Sequence, residues 1–283
     1  MKKFYKTNWL SCFKLSAMLA AILFAGSAMA QLSGTYTINA AAPTSGTNFN
    51  SFTAFANALT SVSGPVTVNV VSSANPYTEQ LRLNAISGVS AINTVTINGN
   101  GQTLRSTSSQ AVVDFNGADY VTISNLIISA QGTGNGTRGV WFHNASDYNE
   151  IVGCQIIFTA YTGTSNSTGY IVFSNSATGN SAALHGSNNI IANNVMRGAS
   201  NSYGPYYGIS DFRSSSLMNT TGANEFVNNE IRDFFYYATY FWYTNGMKVE
   251  NNDFHTSRSG ATISWGIYAY YCKTTTHQIK IKV

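Results

Sequence analysis

Six-residue segments of the form apolar-x-Asn-Asn-x-apolar recur in the C-terminal half of the chain: IANNVM at 191–196, FVNNEI at 226–231 and VENNDF at 249–254. Two weaker copies precede them, ISNLII at 123–128 and IVGCQI at 151–156, and INGN from Ile97 begins a still earlier one. Successive starts lie between 23 residues (Phe226 to Val249) and 40 residues (Ile151 to Ile191) apart. A short minimum period with variable additions is the mark of a solenoid, one coil of fixed size into which loops are inserted.

Each interval holds a second strand-like stretch: GVWFHN at 139–144, YIVFSN at 170–175, GISDF at 208–212, TYFWY at 239–243 and GIYAYY at 266–271. These runs are short, β-branched and aromatic, and are bounded by Gly, Asn and Ser, as strands are. The asparagine pairs suit the corners. Asn tolerates the left-handed backbone region and bonds nearby backbone with its amide. Amides repeated at one corner stack at the strand spacing of about 4.8 Å and hydrogen-bond as a ladder. The expected ladder comprises Asn193, Asn194, Asn228, Asn229, Asn251 and Asn252, and it accounts for the 30 asparagines found after position 30.

Charge excludes one class of partner. The net charge is +4, but Lys2, Lys3, Lys6 and Lys14 all lie in the first 14 residues, and the remainder is neutral. No basic footprint is left for phosphate, so no nucleic acid is expected. The basic start, the apolar stretch from Leu15 to Ala25 and Ala28-Met29-Ala30 form the pattern of a secretory signal peptide, with cleavage expected after Ala30. No later segment approaches the ~20 apolar residues of a membrane-spanning helix. Cys154 and Cys272, the cysteines of the mature chain, fall in different parts of the repeat and make no disulfide framework. Nor does any Cys/His metal spacing occur.

Residues 31–92 read as a cap: a strand at 34–38, a short helix through Phe52, Phe55, Ala56 and Leu59 capped by Asn48 or Asn50, and a strand at 65–71. Such a helix would plug the open end of the first coil. Residues 93–283 hold the repeats. The final run from Gln278 to Val283 looks like the start of another coil, so the solenoid and further C-terminal domains are expected to continue past it. The expected fold is all-β, a parallel β-helix of about six coils.

On the NN-containing coils of residues 93–283, the chain resembles secreted right-handed parallel β-helix repeat proteins of the pectate-lyase-like superfamily. Residues 34–82 resemble the opening region of large β-helix proteins exported by Gram-negative bacteria through the type IX route. The resemblance implies a right-handed coil and a secreted or outer-surface location. For a polygalacturonase-like hydrolase it would imply Asn-Thr-Asp, Asp-Asp and Gly-His-Gly strings; none occurs. For a pectate-lyase-like enzyme it would imply clustered Asp for calcium, but the 11 acids are scattered. No catalytic residue carries over, and no cofactor is indicated, calcium included.

Aligning the coils stacks Gln155, Val195, Glu230 and Asp253, and two positions on Ile157, Arg197, Arg232 and His255. Glu230, Arg232, Asp253 and His255 should therefore form one patch. Carboxylates beside Arg and His suit proton abstraction or an acidic sugar, but equally a solvated cross-strand pairing of opposite charges. His143, His185 and His277 are isolated from acids in the sequence and read as structural.

Aromatic runs give the other candidate. With Val140, Ile171, Ile209 and Ile267 inward, alternation sends Trp141, Tyr240 and Tyr268 outward, with His143, Phe212, Trp242 and Tyr270 beside them. Stacked rings match the C–H faces of sugars. Insertions at 200–205 or 214–223 that folded over these rings would instead make them a second hydrophobic layer. Three functions are thus open: a non-catalytic, adhesin-like module binding polysaccharide through this aromatic face; a polysaccharide lyase or glycoside hydrolase acting at the charged patch; and a spacer without ligand.

Overall fold

The computed structural model describes residues 31–176, 185–213, 224–261, 264–272 and 280–281. The expected signal peptide and His277 lie outside the described residues, as does most of the 278–283 run.

After the opening strands the chain lays down short strands in a cycle of three, and each strand pairs in parallel with its counterpart one turn of the cycle away. Ladder 1 runs through Leu32–Ile38, Val62–Val70, Val95–Asn98, Val121–Ser124, Glu150–Val152, Ile190–Ala192, Glu225–Val227 and Lys248–His255. Ladder 2 runs through Tyr77–Thr78, Thr103–Ser106, Ile127–Ala130, Gln155–Phe158, Val195–Gly198 and Glu230–Arg232, and ends on the second half of Lys248–His255. That long strand joins ladders 1 and 2 into a single 16-stranded sheet. Ladder 3 is a separate seven-stranded sheet of Leu81–Asn84, Ala111–Asn116, Arg138–His143, Gly169–Phe173, Tyr207–Phe212, Tyr237–Trp242 and Trp265–Tyr270. The architecture is a parallel β-solenoid with one described helix, and no described helix is long and apolar enough to cross a membrane.

Alternation within each strand sends one set of side chains into the lumen. Val95, Val121, Ile151, Ile191, Phe226 and Val249 are buried along ladder 1, Leu104, Ile128, Ile156, Met196 and Ile231 along ladder 2, and Val113, Val140, Ile171 and Ile209 along ladder 3. Phe115, Phe142 and Phe173 stack ring on ring at 4.5 and 4.4 Å in the lumen. The register continues that column through Asp211 to Phe241. Asp211 is fully enclosed and is answered there by His185 at 3.2 Å, by Arg213 at 3.3 Å and by the Asn224 amide at 2.9 Å. An unpaired charge at this depth would be prohibitive.

The helix Phe52–Ala58 forms where its apolar spacing places it, with Phe52 and Phe55 buried in the common core. Its cap differs from expectation. Ser51 is the N-cap and accepts from the Ala54 amide at 3.0 Å, while Asn48 pairs in a strand and Asn50 accepts from the Thr44 hydroxyl. The Glu79 carboxylate takes the next free amides, those of Phe52 and Thr53, at 3.0 and 2.7 Å. A carboxylate among the orphan amides of the first turn gains charge-assisted bonds that a neutral asparagine lacks.

Candidate functional sites on the outer faces

The asparagine pairs divide their labour at the corner between ladders 1 and 2. The first member turns the chain: Asn193, Asn228 and Asn251 have φ of 58, 55 and 53°, as do Asn125 and Gly153 at φ of 52 and 64° in the weaker copies. The second members, Asn194, Asn229 and Asn252, are buried and linked. The side-chain oxygen of Asn229 accepts from the amide N–H and side chain of Asn194 at 3.1 and 3.0 Å, and Asn252 accepts likewise from Asn229 at 2.9 and 3.0 Å. Each amide group also donates to a carbonyl of the preceding coil, Ile151, Ile191 or Phe226, at 2.8 Å. Cys154 occupies the same position, and burial pushes its thiol up to about 11. It is an inert occupant, and both cysteines are free.

A second ladder at the corner between ladders 3 and 1 was missed by the sequence reading. Asn149, Asn189 and Asn224 are buried, with Asn189 accepting from the Asn149 amide N–H and Asn224 from that of Asn189, each at 2.9 Å. The signal was present: each lies two residues ahead of a repeat start, Ile151, Ile191 or Phe226.

The charged patch lies on the outside of ladder 2. The register sets Glu230 against Asp253 and Arg232 against His255. The Arg232 guanidinium lies 2.8 Å from Glu230 Oε1, with His255 Nε2 at 3.9 Å from the same oxygen and His255 Nδ1 at 3.6 Å from Asp253. Glu230, Asp253 and His255 bring one donor atom each within 4.8 Å of the others, a spacing that could hold a cation. Against that, Glu230 already faces Arg232. Pairs this exposed are worth a few tenths of a kcal/mol each. Asp233 turns the next corner at φ 54°, accepting from the Gly198 amide N–H and the Ser257 hydroxyl.

The outer face of ladder 3 changes character along its length. One register column runs Arg82, Asp114, Trp141, Val172, Ser210, Tyr240, Tyr268, and a neighbouring one includes His143, Phe212, Trp242 and Tyr270. At the N-terminal end this face is sealed. Trp141 is 4% exposed, packs with Ala111 and Val172 in a small outer cluster and donates from its indole to the Ser174 carbonyl at 2.7 Å. The Trp141 ring stacks on His143 at 3.8 Å, and the Arg138 guanidinium sits 4.6 Å from its centroid. Trp141 therefore points away from the lumen yet is closed to a ligand. Phe212 is buried likewise, at 4% exposed.

Histidines isolated in sequence are not isolated in space: besides the His185–Asp211 contact, His143 Nε2 lies 2.6 Å from Asp114. Parallel register brings acids from other coils beside them, which sequence distance conceals. Burial pushes His185 down to about 4 against the opposing pull of Asp211, so it is neutral at pH 7. Burial likewise lowers Arg138 to about 10, opposed by Asp114.

At the C-terminal end the same columns open. Tyr240 and Tyr268 stack at 5.0 Å and 8°, Trp242 meets Tyr270 edge-on at 5.4 Å, and Tyr237 packs against both Tyr240 and Tyr268. Trp265 is 48% and Tyr270 39% exposed. In the insertion at 200–205, the Gly204 amide N–H donates to the Tyr161 carbonyl and the Pro205 carbonyl accepts from Arg258. The 214–223 insertion lies outside the described residues but for its neighbours. Comparison of the chain with family models, curated proteins and solved structures finds no match in any of the three.

Proposed function

We propose that this chain is a secreted or cell-surface, adhesin-like module that holds polysaccharide on the open aromatic end of ladder 3. In this reading the solenoid is a right-handed parallel β-helix of about six coils, of the pectate-lyase-like kind, exported after cleavage near Ala30 from a Gram-negative cell by the type IX route. The observation that carries the binding role is the continuous ring surface of Tyr240, Trp242, Tyr268 and Tyr270, with Trp265 and Tyr270 substantially uncovered. Exposed apolar surface of this kind is costly unless something covers it, and aromatic rings with polar rims suit the mixed C–H and O–H surface of sugars.

The test is to incubate the protein with neutral and uronate polysaccharides, scoring co-sedimentation and the release of new chain ends. Retention without new ends, lost in Trp242→Ala and Tyr268→Ala, supports the binding module. The approach of Glu230, Asp253 and His255 favours a second reading, a lyase or hydrolase; new chain ends abolished by His255→Ala would establish it. Neither retention nor new ends would leave the spacer.

A further inference from the structure

At the corner between ladders 3 and 1 the register aligns Tyr120, Tyr148 and Asn188, followed further along by Gly246, all in the left-handed region at φ of 56, 58, 58 and 69°. Asn and Gly are the usual occupants of such a position, and a bulky side chain there is an outlier. Two successive coils nonetheless carry tyrosine. Their rings lie parallel, 4.9 Å apart at 3°. Tyr148 is 48% exposed, and the side chain next in the column, Asn188, is too short to cover its far side.

The rings border a groove of about 260 Å³ whose other walls include Thr94, Thr122, Glu150 and Asn188. Among the described residues, no cation answers the charge in this groove. Glu150 shares a register column with Thr122, Ile190, Glu225 and Lys248. Glu225 is answered by the Lys248 ammonium at 3.3 Å. Glu150 accepts only from the Thr122 hydroxyl at 3.3 Å, and no cation pairs with it among the described residues. Asp119 and Asp147, each one residue ahead of a ledge tyrosine, are engaged with the backbone amides of Asp147 and Ser187.

From these features we infer a second binding site, the Tyr120–Tyr148 ledge with Glu150, that takes an amine-bearing sugar chain. The rings attract both a sugar's C–H face and a nearby ammonium. Glu150 supplies the charge-assisted acceptor for that ammonium, and Thr94, Thr122 and Asn188 supply partners for hydroxyls. A uronate would meet like charge. The ligand class overlaps with that of the aromatic row, but the residues do not, so either site stands without the other.

The experiment titrates the full chain with a fully deacetylated glucosamine hexamer, its N-acetylated counterpart and a lysine hexamer. The glucosamine hexamer should bind, and Tyr148→Asn should weaken it at least about tenfold while leaving the melting temperature unchanged or raised, because Asn suits this backbone. Glu150→Gln should cost about tenfold for the amine form. The inference falls if the glucosamine hexamer does not bind or the N-acetylated form binds equally. It falls too if the lysine hexamer matches it, or if Tyr148→Asn lowers the melting temperature and spares the affinity, which would make the ring pair a structural staple.

Discussion

Asp114, Trp141 and His143 stand on the outer face of ladder 3 in the same register columns as Tyr240, Trp242, Tyr268 and Tyr270, yet the two ends of that face are opposite environments. At one end a carboxylate, an imidazole, an indole and a guanidinium close on one another and exclude water. At the other, rings lie against rings and are partly open to solvent. Strand position alone thus does not decide whether an outward aromatic is open or packed. The partners supplied by neighbouring coils decide it.

The sharpest way to break this contrast is to truncate one indole at each end. Trp141→Ala should cost about 3–5 kcal/mol, the usual range for a buried large aromatic, read as a lowered denaturation midpoint. Trp242→Ala should cost about 1 kcal/mol, since its ring is partly exposed and forfeits less buried area. Equal losses at the two ends would dissolve the distinction.

Acid probes the enclosed side next. His185 is held neutral in the folded chain at a pKa of about 4, against 6.5 for the free group. Stability is therefore full above 6.5, declines as pH falls from there toward 4, and levels off below. The loss is on the order of 3 kcal/mol. Chemical denaturation at pH 7 and pH 4.5 should show it, and His185→Gln should flatten the profile. A smaller effect belongs to the exposed patch. Glu230→Gln should change stability by no more than about 0.5 kcal/mol, and in salt titrations even that should fade.

Much of this was legible in the chain. The Asn-Asn pairs gave the coil, and the residues after them gave the register that sets Glu230 beside Asp253 and Arg232 beside His255. Alternation also gave the inward set of Val140, Ile171 and Ile209. What stayed hidden was contact across coils. Nothing adjacent to His143 in sequence announces Asp114, 29 residues away, and nothing near Trp141 announces the Ser174 carbonyl that helps to close it. Local pattern fixes which side of a strand a residue faces, whereas cover depends on loops whose length varies from coil to coil. The helix cap shows the same limit, because Glu79 reaches Thr53 from 26 residues away.

Asp211 interrupts a column of phenylalanines, and that interruption acts as a bookmark. A file of like rings is nearly unchanged when displaced by one coil, so stacking alone leaves a repetitive chain free to pair with the wrong neighbour. Displacing Asp211 by one coil would take its carboxylate away from His185 and the Asn224 amide, the partners that other coils supply. The penalty of an unanswered buried charge then rejects the misaligned stack. One hydrophilic letter in an oily column tells the folding chain which page it is on.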